Sequence, residues 1–280
     1  MDSGQLDGDA GPANIVFLGT LAAIAAMMLL EALLPRRDLA QNMLWRWSNN
    51  FSLGILTWYI STLASTAVML YLVKLTEDSQ FGLMPYLEAG PMAGFLALLV
   101  ATQFIGYWVH VAFHKIPWLW PIHAIHHTDI DVDVSTSYRH HPLEPLVSLP
   151  LVAPMVLLLG IPMEVAVGYK LFEVAMTVFS HSNVRLPEAL DRYLRWIILT
   201  PDFHRLHHCA EPRYTNSNYG STVPWFDYLF GTASARPYDE QESMALGLEY
   251  LREPGDRRLD RLVTAPFQWI KATHPRPDRP

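Results

Sequence analysis

The stretch MAGFLALLVATQFIGYWVHVAF, residues 92–113, carries no Asp, Glu, Lys or Arg. A helix of that length crosses about 30 Å of hydrocarbon. Its last turns nevertheless hold His110, and His114 follows four residues later. Positions i and i+4 lie on one helical face, and an apolar span has no packing use for two imidazoles there. The stretch therefore predicts a membrane span that delivers imidazoles to one edge of the bilayer.

Further from it the character repeats. Residues 14–34, NIVFLGTLAAIAAMMLLEALL, contain a single charge, Glu31, and residues 51–73, FSLGILTWYISTLASTAVMLYLV, contain none. Both are long enough to span. Residues 145–160 are apolar but short and interrupted by Pro150 and Pro154. Residues 163–180 have a helical period but include Glu164, Lys170 and Glu173. Together they predict a shallow or re-entrant helical hairpin, because the charges argue against full lipid exposure. Lys170 and Glu173 are spaced to pair at i, i+3. With 280 residues, 51% of them hydrophobic, and a positive mean hydropathy, the predicted fold class is all-α. The chain reads as a polytopic helical membrane protein with a helical cap on its cytoplasmic side.

The net charge of −7 leaves no basic surface for nucleic acid. The single cysteine, Cys209, excludes a disulfide framework and a Cys-ligated iron–sulfur cluster within one chain, and is expected to be a small packed residue. Residues 1–13 are acidic without Lys or Arg, unlike a secretory n-region, and read as a disordered start. Residues 183–280 are polar and Arg-rich. Their end, THPRPDRP, reads as disordered. Residues 256–273 have the pattern of an amphipathic helix at a membrane surface, interrupted by Pro266. Arg36, Arg37 and Arg46 in the 35–50 loop, against an acidic 74–91 loop, put the first loop and the C-terminal region on the cytoplasmic side.

Eleven of the twelve histidines fall between His110 and His208. His123, His126 and His127 are spaced i, i+3, i+4, and His204, His207 and His208 repeat that spacing. On a helix each trio shares one face. Thr200-Pro201 makes a good helix start before the second trio. A face of three imidazoles is a poor core and a good ligand array. His141 and His181 bracket the hairpin. The Lys/Arg orientation puts every cluster on the same, cytoplasmic, face. His140, which competes with its neighbour, and His274, in the tail, are left aside. Ten candidates are too many for one ion and suit two metals, with Fe, Zn, Cu and Ni all compatible with imidazole.

The order of motifs is itself informative: HVAFH (110–114), WPIHAIHH (120–127), RHHP (139–142), HSN (181–183), PDFHRLHH (201–208), NSNYG (216–220) and WFDYLFGT (225–232). Over roughly residues 100–235 this resembles the fatty acid hydroxylase/sterol desaturase superfamily of integral-membrane non-haem di-iron enzymes. The resemblance implies a catalytic domain over 91–235; hydropathy and charge put an N-terminal transmembrane hairpin over 14–90 before it and a cytoplasmic tail over 236–280 after it. The resemblance also implies two iron ions, O₂ as co-substrate, and hydroxylation or desaturation of an unactivated C–H bond of a lipid or sterol-like substrate. The ligands it implies are His110, His114, His123, His126, His127, His141, His181, His204, His207 and His208, with His141 taken over His140 from the family's R-x-H-P pattern. Asn218, Tyr219, Trp225 and Asp227 fall at supporting positions, although WFD replaces the usual WD and moves Asp227 by one place. The acids at 129–133 read as a solvated loop face. Trp108, Trp118, Trp120 and Phe203 are candidates for a lipid channel or for interfacial anchors.

No G-x-G-x-x-G motif and no Cys cluster is present, so electrons must come from a separate reductase or carrier. The Arg residues at 185–213 are candidates for its docking surface. The location implied is a multi-pass membrane protein, in the inner membrane if the cell is bacterial. Rival readings are a membrane metal-binding or transport protein, a bis-histidine haem carrier and a zinc hydrolase. Transport would place ligands within the spans rather than at their edge. A haem carrier would not use three histidines per cluster, and a zinc hydrolase needs only three protein ligands.

Overall fold

The computed structural model describes residues 11–39, 42–76 and 81–271. Among these, twelve α-helices follow in order: α1 (Pro12–Leu33), α2 (Met43–Thr76), α3 (Leu83–Tyr86), α4 (Pro91–Lys115), α5 (Trp120–His127), α6 (Glu144–Leu159), α7 (Met163–His181), α8 (Glu188–Leu194), α9 (Pro201–His207), α10 (Pro212–Thr215), α11 (Trp225–Phe230) and α12 (Leu259–Lys271). The described residues form no strands, only isolated bridges between Pro35 and Val184 and between Cys209 and Leu246. The chain is all-helical, as its periodicity predicts.

Two helices, α1 and α4, are long and apolar enough to cross a membrane. The expected span at 51–73 lies within α2, and most of its side chains beyond residue 68 lie outside the described residues. The expected disordered start falls largely on residues 1–10, also outside them, while Pro12 and Ala13 already belong to α1. The THPRPDRP tail lies outside as well.

The ends of the elements follow from local chemistry. Pro91 opens α4, and Ile116 closes it in an extended conformation ahead of Pro117. The hairpin at 145–180 forms as α6 and α7. Gly160 ends α6 with a left-handed φ of 64°, and Pro162 leads into α7. A Cβ on Gly160 would meet Phe81 O at 2.8 Å and Gly82 Cα at 2.9 Å, so the close approach of two backbones also requires glycine. Lys170 and Glu173 pair at 2.6 Å. Thr200 caps α9 through Phe203 N–H, with Pro201 at the first helical position.

α7 packs on α1, α4 and α9; α4 also packs on α6 and α5; α12 packs on α5 and α2. The expected amphipathic C-terminal helix forms despite Pro266, with Leu262 packed on Leu53 and Ile125 and Phe267 exposed. Cys209 is buried with Val132, Leu206, Met244 and Leu246, a packed residue as expected.

The 35–50 arginines are not free loop charges. Arg36 pairs with Asp202 at 3.1 Å and with Glu242 at 2.6 Å. Arg37 donates to the carbonyls of Gln241 and Met244, both at 2.8 Å. Arg46 is buried on Asp129 at 2.8 Å and on Asp133. These pairs fasten Arg36, Arg37 and Arg46 to the segments around Asp129–Asp133, Asp202 and Gln241–Met244.

Candidate metal centre

Nine of the ten expected ligands meet where α4, α5, α7 and α9 converge. α4 supplies His110 and His114, α5 supplies His123, His126 and His127, and α7 ends on His181. α9 supplies His204 and His207, and His208 is its C-cap. The rings form two groups. His110, His114, His123, His127 and His207 each offer a nitrogen within 4.8 Å of the others, and so do His126, His181, His204 and His208. The groups abut: the rings of His127 and His208 lie 4.7 Å apart. Seven of the nine are at most 5% exposed.

The protein fixes which nitrogen is free in four of these rings. His110 Nδ1 lies 2.7 Å from the Tyr219 carbonyl, His207 Nδ1 2.6 Å from that of Ser217, and His181 Nδ1 2.8 Å from that of Thr177. His123 Nδ1 lies 3.2 Å from the Glu144 carboxylate. These oxygens only accept, so each Nδ1 carries the proton and each Nε2 is left with a lone pair. His181 Nε2 lies 3.0 Å from that of His204 and 3.2 Å from that of His126, whose own Nδ1 atoms are buried without a partner, and His110 Nε2 faces His123 Nε2 at 3.0 Å. Two lone pairs at that separation repel. In addition, His207 Nε2 and both nitrogens of His114 are buried without a partner. A buried polar atom left alone costs about 1–3 kcal/mol, and a cation among these nitrogens removes both penalties. Burial, with the neighbouring imidazoles second, holds His126, His127, His204 and His208 well below the ordinary histidine range, and His207 down to about 3. These five rings are neutral at pH 7, the form that binds metal.

The fatty acid hydroxylase family profile matches residues 95–232. The chain is 30% identical over 183 residues to the very-long-chain aldehyde decarbonylase GL1-6 of Oryza sativa, covering 60% of this chain and 27% of that protein. It is 29% identical over 153 residues to the alkylglycerol monooxygenase of Xenopus tropicalis, covering 54% and 32%. It is 28% identical over 232 residues to the ornithine lipid hydroxylase OlsE of Rhizobium tropici, covering 78% and 66%. The profile match over residues 95–232 and these homologues support the fatty acid hydroxylase superfamily. It spans less than a third of the length of the decarbonylase, about a third of the monooxygenase and about two thirds of OlsE. No solved structure matches.

One expected ligand lies elsewhere. His141 Nδ1 accepts from Leu143 N–H at 3.2 Å and its Nε2 lies 3.2 Å from the Val263 carbonyl. Both nitrogens are engaged, the ring packs towards Phe267, and no lone pair remains for an ion. His140 lies at the cluster instead. Its ring is parallel to that of His126 with centroids 4.2 Å apart, and its Nδ1 is 2.9 Å from Glu144 Oε2. Burial pulls His140 down, but the Glu144 carboxylate outweighs it and leaves the imidazole above its ordinary pKa. His274 lies outside the described residues.

Glu144 was missed by sequence reading. One carboxylate receives His123, His140 and the backbone N–H of His141. Its signal was the position, four residues after His140. The 129–133 acids are also corrected: Asp129 and Asp133 are buried at 0% exposure, not solvated. Asp129 accepts from Arg46, Asn50 and Thr136, and Arg139 is buried beside it, holding Ile125 O and Thr128 at the end of α5. The shifted Asp227 has a clear place. It accepts from the N–H groups of Tyr219 and Gly220, both at 2.7 Å, and from the Thr232 hydroxyl. It thereby holds the loop whose carbonyl orients His110. Asn218 bridges Phe203 O and Ser234, and Trp225 is partly exposed on α11. Of the four aromatic candidates, Trp120 lies against the cluster, 4.9 Å from His114 and tied to Tyr250 at 3.0 Å. Trp108 and Trp118 are exposed and Phe203 is buried.

Proposed function

We propose that this chain is a membrane-bound oxygenase that hydroxylates or desaturates an unactivated C–H bond of a lipid at a two-metal centre. The observation that carries the reading is two abutting groups of inward-facing imidazoles, in which His110 and His123 oppose their Nε2 lone pairs at 3.0 Å and both nitrogens of His114 and Nε2 of His207 are buried without a partner. The five-histidine group would hold one ion. The four-histidine group, with His140 stacked beside it, would hold the other. Iron bound there supplies activation of O₂. Its electrons come from a separate cytoplasmic reductase or carrier.

The residues of the chain have definite work in this reading. The Tyr219, Ser217 and Thr177 carbonyls and Glu144 keep the proton on Nδ1 and aim Nε2 inward. Val109, Phe113, Leu119 and Ile122 form an apolar cluster beside the site and exclude water. The exposed Phe104 and Trp108 on α4 give a lipid tail an apolar approach from the bilayer. The names of the alkylglycerol monooxygenase and ornithine lipid hydroxylase relatives support a lipid substrate. α1, α2 and α4 would cross the membrane, with the cap on the cytoplasmic face. Of the 185–213 arginines, Arg205 is buried on Asp202 and is not available for docking, whereas Arg185 and Arg213 are exposed.

The test is metal content per chain in detergent-purified protein, with Mössbauer spectra after growth on labelled iron. The expected result is about two irons as a coupled pair. Stoichiometric zinc after iron-replete expression, with no O₂ consumption when a reductant is supplied, would indicate a hydrolytic site instead.

A further inference from the structure

Tyr219 is 1% exposed, and its hydroxyl has no hydrogen-bond partner among the described residues. Its backbone is held from both sides, the N–H by Asp227 and the carbonyl by His110. Its ring meets three members of the five-histidine group: His114 at 5.1 Å, His110 at 5.5 Å and His207 at 5.8 Å between centroids. The fourth aromatic neighbour, Tyr107, places its own hydroxyl on Thr232 at 3.0 Å. A buried hydroxyl without a partner is costly, and a ring 1% exposed and packed against four others has no solvent within reach to supply one. Packing alone would be served as well by phenylalanine. Beside the phenol, His114 has two unpartnered nitrogens and His207 has one. Donor and acceptors lack partners at the same place.

We propose that Tyr219 is the hydrogen-bond donor to a small oxygen or anionic ligand bound at the five-histidine group, such as water, hydroxide or the hydroxyl of a product. The phenol O–H donates, the ligand accepts, and no proton is transferred. This rests on that group being a metal site, but not on the metal being iron or on the reaction being an oxidation. The histidine rings that Tyr219 meets all belong to the five-histidine group, so the two metal positions are inequivalent, and the ligand-binding one is that of His110, His114 and His207.

The test uses the full chain in detergent, loaded with Co(II) and titrated with azide as the anionic probe, followed in the visible d–d bands. Tyr219→Phe is expected to keep the wild-type cobalt content and to bind azide about tenfold more weakly, the factor expected for one lost hydrogen bond. The metal-free variant should melt no lower than the metal-free wild type, because only an unpartnered oxygen is removed. Azide affinity within twofold of wild type would overturn the proposal, as would loss of cobalt from the variant, which would make Tyr219 a wall of the site. If Tyr219→Phe does not fold, 3-fluorotyrosine at 219 keeps the shape and makes a stronger donor: azide should bind more tightly, and unchanged affinity overturns the proposal. A wild-type chain that takes up no cobalt overturns the metal reading itself, and this inference with it.

Discussion

Adjacent residues can have opposite fates, and His140 and His141 do. On helices the i, i+3, i+4 spacing announced the direction of each imidazole, so His123, His126, His127, His204, His207 and His208 were legible. The RHHP segment has no such period, because Arg139 leaves helical geometry at φ −86°, ψ 58°. Which histidine turns inward there depends on contacts with Glu144 and with α12, which spacing does not encode. The two roles separate by mutation. His141→Ala should retain the full metal content and lose roughly 1 kcal/mol from its bond to Val263. His126→Ala should lose metal and all metal-dependent activity while the protein still inserts. Metal analysis and thermal melts of the two purified variants check this, and metal loss from His141→Ala would restore it as a ligand.

At the scale of elements, the helices were readable and the ties between them were not. Apolar runs and caps fixed α1, α4, α6, α7 and α9, since burial and capping are local in sequence. The partners of Arg46 lie 83 and 87 residues away, and an arginine beside a span looks like an ordinary positive-inside charge until the cap closes on it. The 218–220 loop is the same kind of tie. Asp227→Ala would leave two backbone N–H groups and a hydroxyl without their acceptor, costing roughly 3 kcal/mol. It would also loosen the carbonyl that orients His110. Metal at the five-histidine group should therefore weaken more than metal at the four-histidine group, read as stepwise release during chelator titration. Equal weakening of both would mean that the loop supports the cap generally.

For the whole molecule, the buried neutral histidines couple stability to pH. A histidine whose folded pKa is depressed takes up its proton more readily when unfolded. Stability is therefore fully present above the unfolded value of about 6.5 and falls as pH drops through the window down to the folded value. For His207 that window runs down to about 3, and for His126, His127, His204 and His208 the shift has the same direction. Each contributes a slope of about 1.4 kcal/mol per pH unit within its window. The metal-free protein should therefore melt at steeply lower temperature from pH 7 to pH 5, and the metal-loaded protein much less so. A flat profile for the metal-free protein would show that the rings are solvated before loading.

The buried imidazole nitrogens have a consequence for how such a chain is made. All four rings of the four-histidine group are buried, so an ion reaches it before its helices close or when one of them shifts. Until it arrives, bringing the helices together buries imidazole nitrogens that have no partner, so closure of the empty site is opposed. Metal supply during biosynthesis then sets the yield of closed protein, and not only its activity. Chains made under metal starvation would be held ajar at the histidine seam, open to proteolysis there.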